Sequence, residues 1–328
     1  MKSLVTGATG FIGSAVAHAL IDAGHEVRVI VRTTSRRENL GDLDVEVCEG
    51  DLTDPPSLRA ALHGCEQLFH VAADYRLWAR DPQQIYRSNV DGTINIMDAA
   101  HAAGVRKIVY TSSVATLGLT KDGSAANEDT PSSIEQMVGP YKRSKYLAEQ
   151  EVIRRSRQSG LPVVIVNPSA PVGPRDRKPT PTGRMILDAA AGRMPAYVDT
   201  GLNIVHVDDV ATGHLLAAER GRLGERYILG ESDMHLKEIL TLVAEVAGQK
   251  PPRIRLPHAA VMPVAWVSEA IARVTGIEPR VTVDGVRLAK KTMFYSSQKA
   301  IDQLGYRPRA ARQAVEDAVS FFREHGYL

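Results

Sequence analysis

The sequence predicts an α/β fold: a doubly wound parallel sheet followed by a smaller, mostly helical region. Three observations predict it. A strand-to-helix turn punctuated by glycines opens the chain, short apolar runs alternate with helical stretches to about residue 170, and the pattern turns mostly helical with proline breaks from about 231. A parallel sheet carries helices on both faces, so its strands read as continuous apolar runs rather than alternating ones.

Taken in order, residues 3–5, 27–31, 45–47, 67–71, 107–110 and 163–166 are apolar runs that read as buried parallel strands. Helical patterns fill the intervals at 13–23, 57–62, 91–103 and 144–159, and Gly24, Gly104 and Gly160 stand just past three of them as C-terminal stops. Residues 1–170 are therefore expected to form a dinucleotide-binding domain. A segment at about 204–230, opening on Ile204-Val205-His206-Val207-Asp208-Asp209-Val210, is expected to return to it. Residues 171–203 and 231–328 are left for substrate binding. Pro168, Pro171, Pro174, Pro179 and Pro181, interleaved with Arg175, Arg177 and Lys178, suggest a mobile loop that closes on substrate.

The chain has 328 residues, enough for a large core that needs no disulfide or metal. Lys and Arg number 40 against 38 Asp and Glu, with the signs interspersed and no basic tail or stripe. That balance argues against a nucleic-acid partner. Cys48 and Cys65 have no His or Cys at ligand spacing and read as reduced thiols. No signal peptide pattern precedes the first strand and no run of about eighteen apolar residues exists, so the expectation is a cytoplasmic protein without a membrane span. The nearest approach to such a run is 259–267, Ala-Ala-Val-Met-Pro-Val-Ala-Trp-Val, which ends at Ser268-Glu269. It reads as a helix of the substrate region, with an apolar pocket wall or a shallow membrane contact as alternatives.

Gly7, Gly10 and Gly13 follow the first strand. The first permits the tight turn, the second lets backbone approach a diphosphate, and the third lets the helix pack closely on the strand. A Rossmann-type nucleotide site is the implication. Tyr141 and Lys145 lie four apart, one turn along the same helical face, where an ammonium favours the phenolate and lowers its pKa. Tyr110-Thr111-Ser112-Ser113 ends a predicted strand, which puts hydroxyls at the edge where this architecture binds ligands. Ser113, Tyr141 and Lys145 are the candidate catalytic residues. Tyr141 would donate the proton to a carbonyl oxygen, and Ser113, in preference to Ser112, would hold that oxygen. Arg32 ends the second strand where a ribose-binding carboxylate is common, and with Arg36 nearby it favours a 2′-phosphate. NADP(H) is thus the expected cofactor, with NAD(H) possible.

Gly7-x-x-Gly10-x-x-Gly13, Gly50-Asp51-Leu52, His70-Val71-Ala72-Ala73, Asn89, Thr111-Ser112-Ser113, Tyr141-x-x-x-Lys145, Asn167-Pro168 and His206-Val207-Asp208-Asp209-Val210 together resemble an extended short-chain dehydrogenase/reductase. Within that group the chain is similar to the dihydroflavonol-reductase and 3β-hydroxysteroid-dehydrogenase branch, and residues 71–78 and 86–93 resemble the hopanoid-associated sugar epimerases. The resemblance implies that Gly7, Thr9, Gly10, Phe11, Ile12 and Gly13 hold the diphosphate. It implies that Asp51 and Leu52 bracket the adenine, that Ala72 and Ala73 line the ribose and diphosphate path, and that Lys145 holds the nicotinamide ribose. Pro168 and Ala170 would pack near the carboxamide, and Asn89 and Thr111 join the cofactor set. It further implies a homodimer through helices near 91–103 and 144–158, with Ile94, Met97 and Ala100 facing the partner. Ser113 is followed by Val114-Ala115 rather than by an acid, and no cysteine stands nearby, which argues against a sugar dehydratase and a carbon-inverting epimerase. The readings that stay open are a ketone/alcohol oxidoreductase, a sugar 4-epimerase that retains its cofactor, and a nucleotide-sensing protein without catalysis. For the first, Trp78, Met137, Val138 and 259–267 point to a small-molecule substrate with a large apolar portion.

Overall fold

A computed structural model describes residues 1–41, 43–277, 279 and 281–328. Its first half runs β1 (Lys2–Thr6), α1 (Phe11–Asp22), β2 (Glu26–Val31), β3 (Val45–Glu49), α2 (Pro55–Leu62) and β4 (Gln67–His70), then α3 (Gln83–Tyr86), which passes through a π-turn at Arg87–Asp91 into α4 (Gly92–Ala102), then β5 (Lys107–Thr111), α5 (Gly139–Ser159) and β6 (Val163–Pro168). The chain continues through β7 (Ala170–Val172), α6 (Pro181–Ala190), β8 (Ala196–Val198), β9 (Gly201–His206), α7 (Val207–Arg220), β10 (Arg226–Leu229) and β11 (Ser232–His235). It ends with α8 (Leu236–Ala247), β12 (Ile254–Leu256), α9 (His258–Thr275), α10 (Val283–Leu288), β13 (Thr292–Met293), α11 (Gln298–Leu304) and α12 (Ala311–Glu324).

The main sheet has seven parallel strands in the order β10-β6-β5-β4-β1-β2-β3. Winding proceeds outward from β1 in one direction and from β4 in the other, so the switch point lies between those two strands. Successive strand residues point to opposite faces. Val5, Val29, Phe69, Val109 and Val164 therefore pack with α1 and α7, and Leu4, Ile30, Leu68, Ile108 and Ile165 with α2, α4 and α5. Arg28, the one charge inside the β2 run, is buried and donates to the carbonyls of Ala61 (2.7 Å) and His63 (2.8 Å) at the C-terminal end of α2. A guanidinium at that end meets carbonyls the helix leaves without partners.

The expectation of six buried strands needs one correction. β3 is an edge strand, with Val47 40% exposed, so its apolar run has one neighbour instead of two. A second sheet forms around β9, which pairs with β7, β11 and β13. The return to the main sheet is accordingly made by α7 and β10, since β9 belongs to the second sheet. The 171–183 segment is also more firmly held than a free loop. Its start is β7, Arg175 pairs with Asp208, Asp176 is buried and accepts from Thr180, and the Arg177 carbonyl accepts from Tyr327. α6, α8 and α12 enclose the C-terminal core around Ile186, Leu240, Val315 and Phe322.

Helix α5 is fixed to the sheet by Glu149, which is fully buried. Its carboxylate accepts from Asn167 Nδ2 (2.7 Å) and Thr116 Oγ1 (2.9 Å), and pairs with Arg226 at 3.3 Å. The residues expected to face a partner subunit also need correcting. Met97 and Ala100 are wholly buried in this chain's own core, because that face of α4 packs on α2 and the sheet; of the three residues, Ile94 alone is partly exposed.

Two buried imidazoles lie between the sheet and its helices. His214 Nδ1 donates to the Val210 carbonyl (2.7 Å) and Nε2 meets Thr111 Oγ1 (2.8 Å). Burial lowers its pKa to about 4, and burial with the nearby Lys145 charge lowers that of His70 to about 3, both from an ordinary 6.5. Above 6.5 both rings are neutral in either state. Below it the unfolded chain binds protons that the native chain refuses, so stability falls by roughly 1.4 kcal/mol per pH unit for each ring. Urea unfolding is expected to show a steep loss between pH 6.5 and pH 4.5 with a plateau above pH 7, and His214→Gln should flatten part of that slope. A wild-type profile level down to pH 4.5 would refute the assignment.

Candidate active site

The switch point is where the sheet opens. Strand β1 ends at Thr6, and Gly7 turns the chain at φ 74°. A Cβ on Gly7 would stand 2.7 Å from the backbone of Ala72, and one on Gly13 only 2.1 Å from the Gly7 carbonyl oxygen. Both contacts are with backbone, so neither neighbour is free to yield. Gly10 caps α1 in extended conformation, and no acid occupies the helix's first turn. Its leading N–H groups therefore face the crevice with the positive end of the helix dipole. The cradle fits a dinucleotide diphosphate. Phe11 belongs to the core by its side chain, which leaves its backbone for the crevice, while Ile12 is partly buried and Thr9 offers its carbonyl to Asn39 Nδ2 at 3.2 Å.

The side expected to receive adenosine is built from the ends of β2 and β3. Arg32 and Arg36 are exposed beyond β2, and Arg37 pairs with Glu49 at 3.2 Å. Burial opposes ionisation of Asp51, but two hydrogen bonds from Thr53 and the charge of Arg32 outweigh it, and its carboxyl titrates below the ordinary range. The Leu52 carbonyl is held by Asn95 at 2.8 Å.

Beyond β4, the loop carrying Ala72 and Ala73 is tied to β1 by a residue that sequence reasoning passed over. Thr6 Oγ1 accepts from the N–H groups of Val71 and Ala72, each at 3.1 Å, and lies 2.8 Å from His70 Nδ1. With both lone pairs used, the Thr6 hydroxyl donates to Nδ1. His70 Nε2 then carries the proton and reaches Thr93 Oγ1 at 3.1 Å. Thr93 donates to the Asn89 carbonyl (2.7 Å) inside the π-turn. The Asn89 side chain donates to the Asp74 carbonyl and to Ser144 Oγ, each at 2.9 Å, and accepts from Asp74 N at 2.7 Å. Ser144 donates to the Tyr141 carbonyl at 2.8 Å. A continuous chain thus runs from the glycine turn to the helix that carries Tyr141, and it spends the polar groups of Asn89 on protein partners.

Tyr141 and Lys145 lie in the first two turns of α5, opposite the end of β5. Ser113 is a hydrogen-bond partner of the Tyr141 hydroxyl and also accepts from Ala115 N at 3.1 Å, whereas the buried Ser112 hydroxyl has no partner among the described residues. Lys145 Nζ is directed elsewhere. It donates to the Thr111 carbonyl (2.8 Å) and to Tyr110 Oη (3.3 Å), and sits 4.8 Å from the Tyr110 ring centre. Burial brings Lys145 down to about 8, against the charge of Glu149. The expected depression of Tyr141 does not occur in this arrangement. Burial raises its pKa, and the Ser113 hydrogen bond offsets this only partly, so the phenol stays protonated. The Thr111 hydroxyl is engaged by His214, Pro168 ends β6 in the interior, and Ala170 begins β7 beside it. Asn167 bridges Ser113 and Glu149 through Nδ2. His206 is structural: it caps α7 by accepting from Asp208 N and reaches Asp317 at 3.0 Å. Within residues 259–267, Ala265 is buried and Val261 and Met262 are half-buried, while Val264, Trp266 and Val267 are exposed.

Residues 3–230 match the model of the NAD dependent epimerase/dehydratase family. The chain is 45% identical to a protein of Synechocystis provisionally named dihydroflavonol 4-reductase, over 99% of this chain and 95% of that one. It is 37% identical to sterol demethylase protein B of Methylococcus capsulatus over the full length of both. Among solved structures, the crystal structure of gox2253 is 58% identical, covers 99% of each chain and superposes with a TM-score of 0.90. With its glycine cradle at the switch point and a Ser–Tyr–Lys set at the end of β5, the chain belongs to the NAD-dependent epimerase/dehydratase family and is an NAD(P)-dependent oxidoreductase of dihydroflavonol-reductase-like type.

Proposed function

We propose that the protein is an NADP(H)-dependent ketoreductase whose substrate has a large apolar portion. The observation that carries this reading is the placement of Tyr141, in the first turn of α5, facing Ser113, at the end of β5, beside the dinucleotide cradle. When bound, the nicotinamide supplies the hydride. The chain's own residues manage the oxygen and the proton. Ser113 orients the carbonyl oxygen by hydrogen bond, and Tyr141 passes its phenolic proton to that oxygen as charge develops. A phenol kept protonated by burial suits reduction, where a proton must be given. Lys145 holds the Thr111 carbonyl and with it the end of β5. Asn89, through Ser144, positions the helix that carries Tyr141.

An apolar substrate is supported by the surroundings of α5. Met137 is buried and Val138 half-buried just before the helix, Trp78 is half-buried, and Met293 lies 3.9 Å from Lys142 Nζ. The name of the Methylococcus relative refers to sterols, which fits the same chemistry. NADP(H) preference is supported by Arg32 and Arg36, exposed beyond β2 with no carboxylate in place of Arg32. A homodimer through the outer faces of α4 and α5 is part of the proposal, with Ile94 and the 41% exposed Leu147 in place of Met97 and Ala100. Light scattering that gives a monomer mass at micromolar concentration would remove it.

Against a panel of apolar ketones, NADPH is expected to be consumed one for one with carbonyl reduced; an epimerase would consume none. Tyr141→Phe should lower turnover by roughly 10²–10⁴ while NADPH affinity stays within a few-fold. Wild-type turnover in that variant would end the assignment. Calorimetry should show NADPH bound at least about tenfold more tightly than NADH, about 1.4 kcal/mol, and Arg32→Asp should narrow or invert the ratio. Equal or tighter binding of NADH by the wild type would refute the preference.

A further inference from the structure

Helix α9 packs on α10, and its opposite face is exposed. Its inner face, at Val261, Met262, Ala265, Ser268, Glu269 and Ala272, is buried or half-buried. Glu269, the one acid of the helix, is turned inward and accepts from Val283 N at 2.7 Å, which joins α9 to α10. His258 Nε2 reaches the Ala289 carbonyl at 2.9 Å and closes the other end of the pair. The outer face is apolar. Val264, Val267, Ile271 and Val274 recur at helical spacing along it, with Trp266 at its flank, and Val274 is 86% exposed. Ile254 and Leu256 of the strand before the helix and Ile277 beyond it are exposed as well. Among the described residues, eight of the fifteen exposed large hydrophobics lie between 254 and 277, a segment of 24 residues. A contiguous patch of this kind marks an interaction surface.

The charge around the patch selects its occupant. Residues 250–291 hold eight Lys and Arg against three Asp and Glu, in a chain whose net charge is only +2. Lys250, Arg253, Arg273 and Lys290 are exposed and make no ion pair among the described residues. Arg253 precedes the helix, Arg273 stands in its last turn, and Lys290 follows Ala289, to which His258 is bonded. An apolar stripe with a tryptophan at its edge and cations at both ends matches a helix lying in the plane of an anionic lipid surface. A second copy of this chain docked on the same face would set these cations against themselves. No helix among the described residues is long and apolar enough to cross a membrane, so the contact is peripheral.

We infer that α9 is a membrane-docking helix, which seats the enzyme on anionic lipid with its apolar face in the acyl boundary. Docking there puts the catalytic centre near the lipid. α10 packs on α9, and its Asp284 lies against Gly139 at the start of α5, two residues before Tyr141. The surface stands independently of the ketoreductase reading, because vesicle binding requires no turnover.

The test is co-sedimentation of the full chain with phosphatidylcholine–phosphatidylglycerol vesicles and with phosphatidylcholine alone. Retention is expected on the anionic vesicles and much less on the neutral ones, with a blue shift in emission that Trp266→Phe removes and Trp78 does not supply. Ile271→Glu/Val274→Glu should lower retention by roughly tenfold or more. Arg253→Glu/Lys290→Glu should weaken it and reduce its salt dependence. Unchanged NADPH affinity in these variants reports an intact fold. Failure to bind anionic vesicles, equal retention by the double glutamate variant, or assembly beyond a dimer that Ile271→Glu abolishes would each overturn the inference, the last in favour of a second copy.

Discussion

One buried, neutral imidazole joins the two halves of this site. His70 accepts from Thr6 on one side and donates to Thr93 on the other, so each ring nitrogen has one role. Through Thr6 it fixes the loop that faces the glycine turn. Through Thr93, Asn89 and Ser144 it fixes the first turn of α5. Protonation would put a second donor against the Thr6 hydroxyl, whose lone pairs are already taken by two backbone amides. Burial and the Lys145 charge, which lower the ring's proton affinity, thus keep this chain of donors and acceptors in one arrangement. The π-turn at Arg87–Asp91 belongs to this chain, since it brings the Asn89 carbonyl and amide to Thr93 and Ser144 together.

Glu149 does comparable work one turn beyond Lys145. Its carboxylate gathers Asn167 from β6, Thr116 from the turn after Ser113, and Arg226 from β10. A buried acid with this many donors is costly to remove, because Arg226 and Asn167 would lose their partner. It also keeps α5 in a single register on the sheet, and that register sets which side chain meets Ser113. Tyr141 does, and Lys145 is left to the Thr111 carbonyl.

The sheet was legible because apolar continuity and glycine placement are local signals. Strands near 3–5, 27–31 and 163–166 and the turn at Gly7–Gly13 came through within a residue or two. The failures share a cause. An apolar residue on a helix announces burial without naming the partner, so Met97 and Ala100 were read as facing a second chain when they face their own core. The run at 259–267 was read as a helix of the substrate region, with a pocket wall among its alternatives; the helix is there, but most of that run lies on its outer face. Val45–Val47 resembles a central strand in composition, although only topology decides which strand is last. Spacing singles out Ser113, Tyr141 and Lys145 as candidates, but the direction of the Lys145 ammonium and the Thr6–His70–Thr93–Asn89 chain depend on residues far apart in sequence.

The edge strand β3 has a bearing on how the protein behaves in a crowded solution. Its free backbone edge is a template for pairing with a strand of another chain. Glu46 is pinned between Lys2 (2.7 Å) and Arg28 (2.9 Å), and Glu49 is paired with Arg37. An incoming strand would have to cover these half-exposed pairs and strip their water while gaining only hydrogen bonds the solvent already supplies. These ion pairs, set along β3 from Glu46 to Glu49, thus guard the sheet against growing from its open edge.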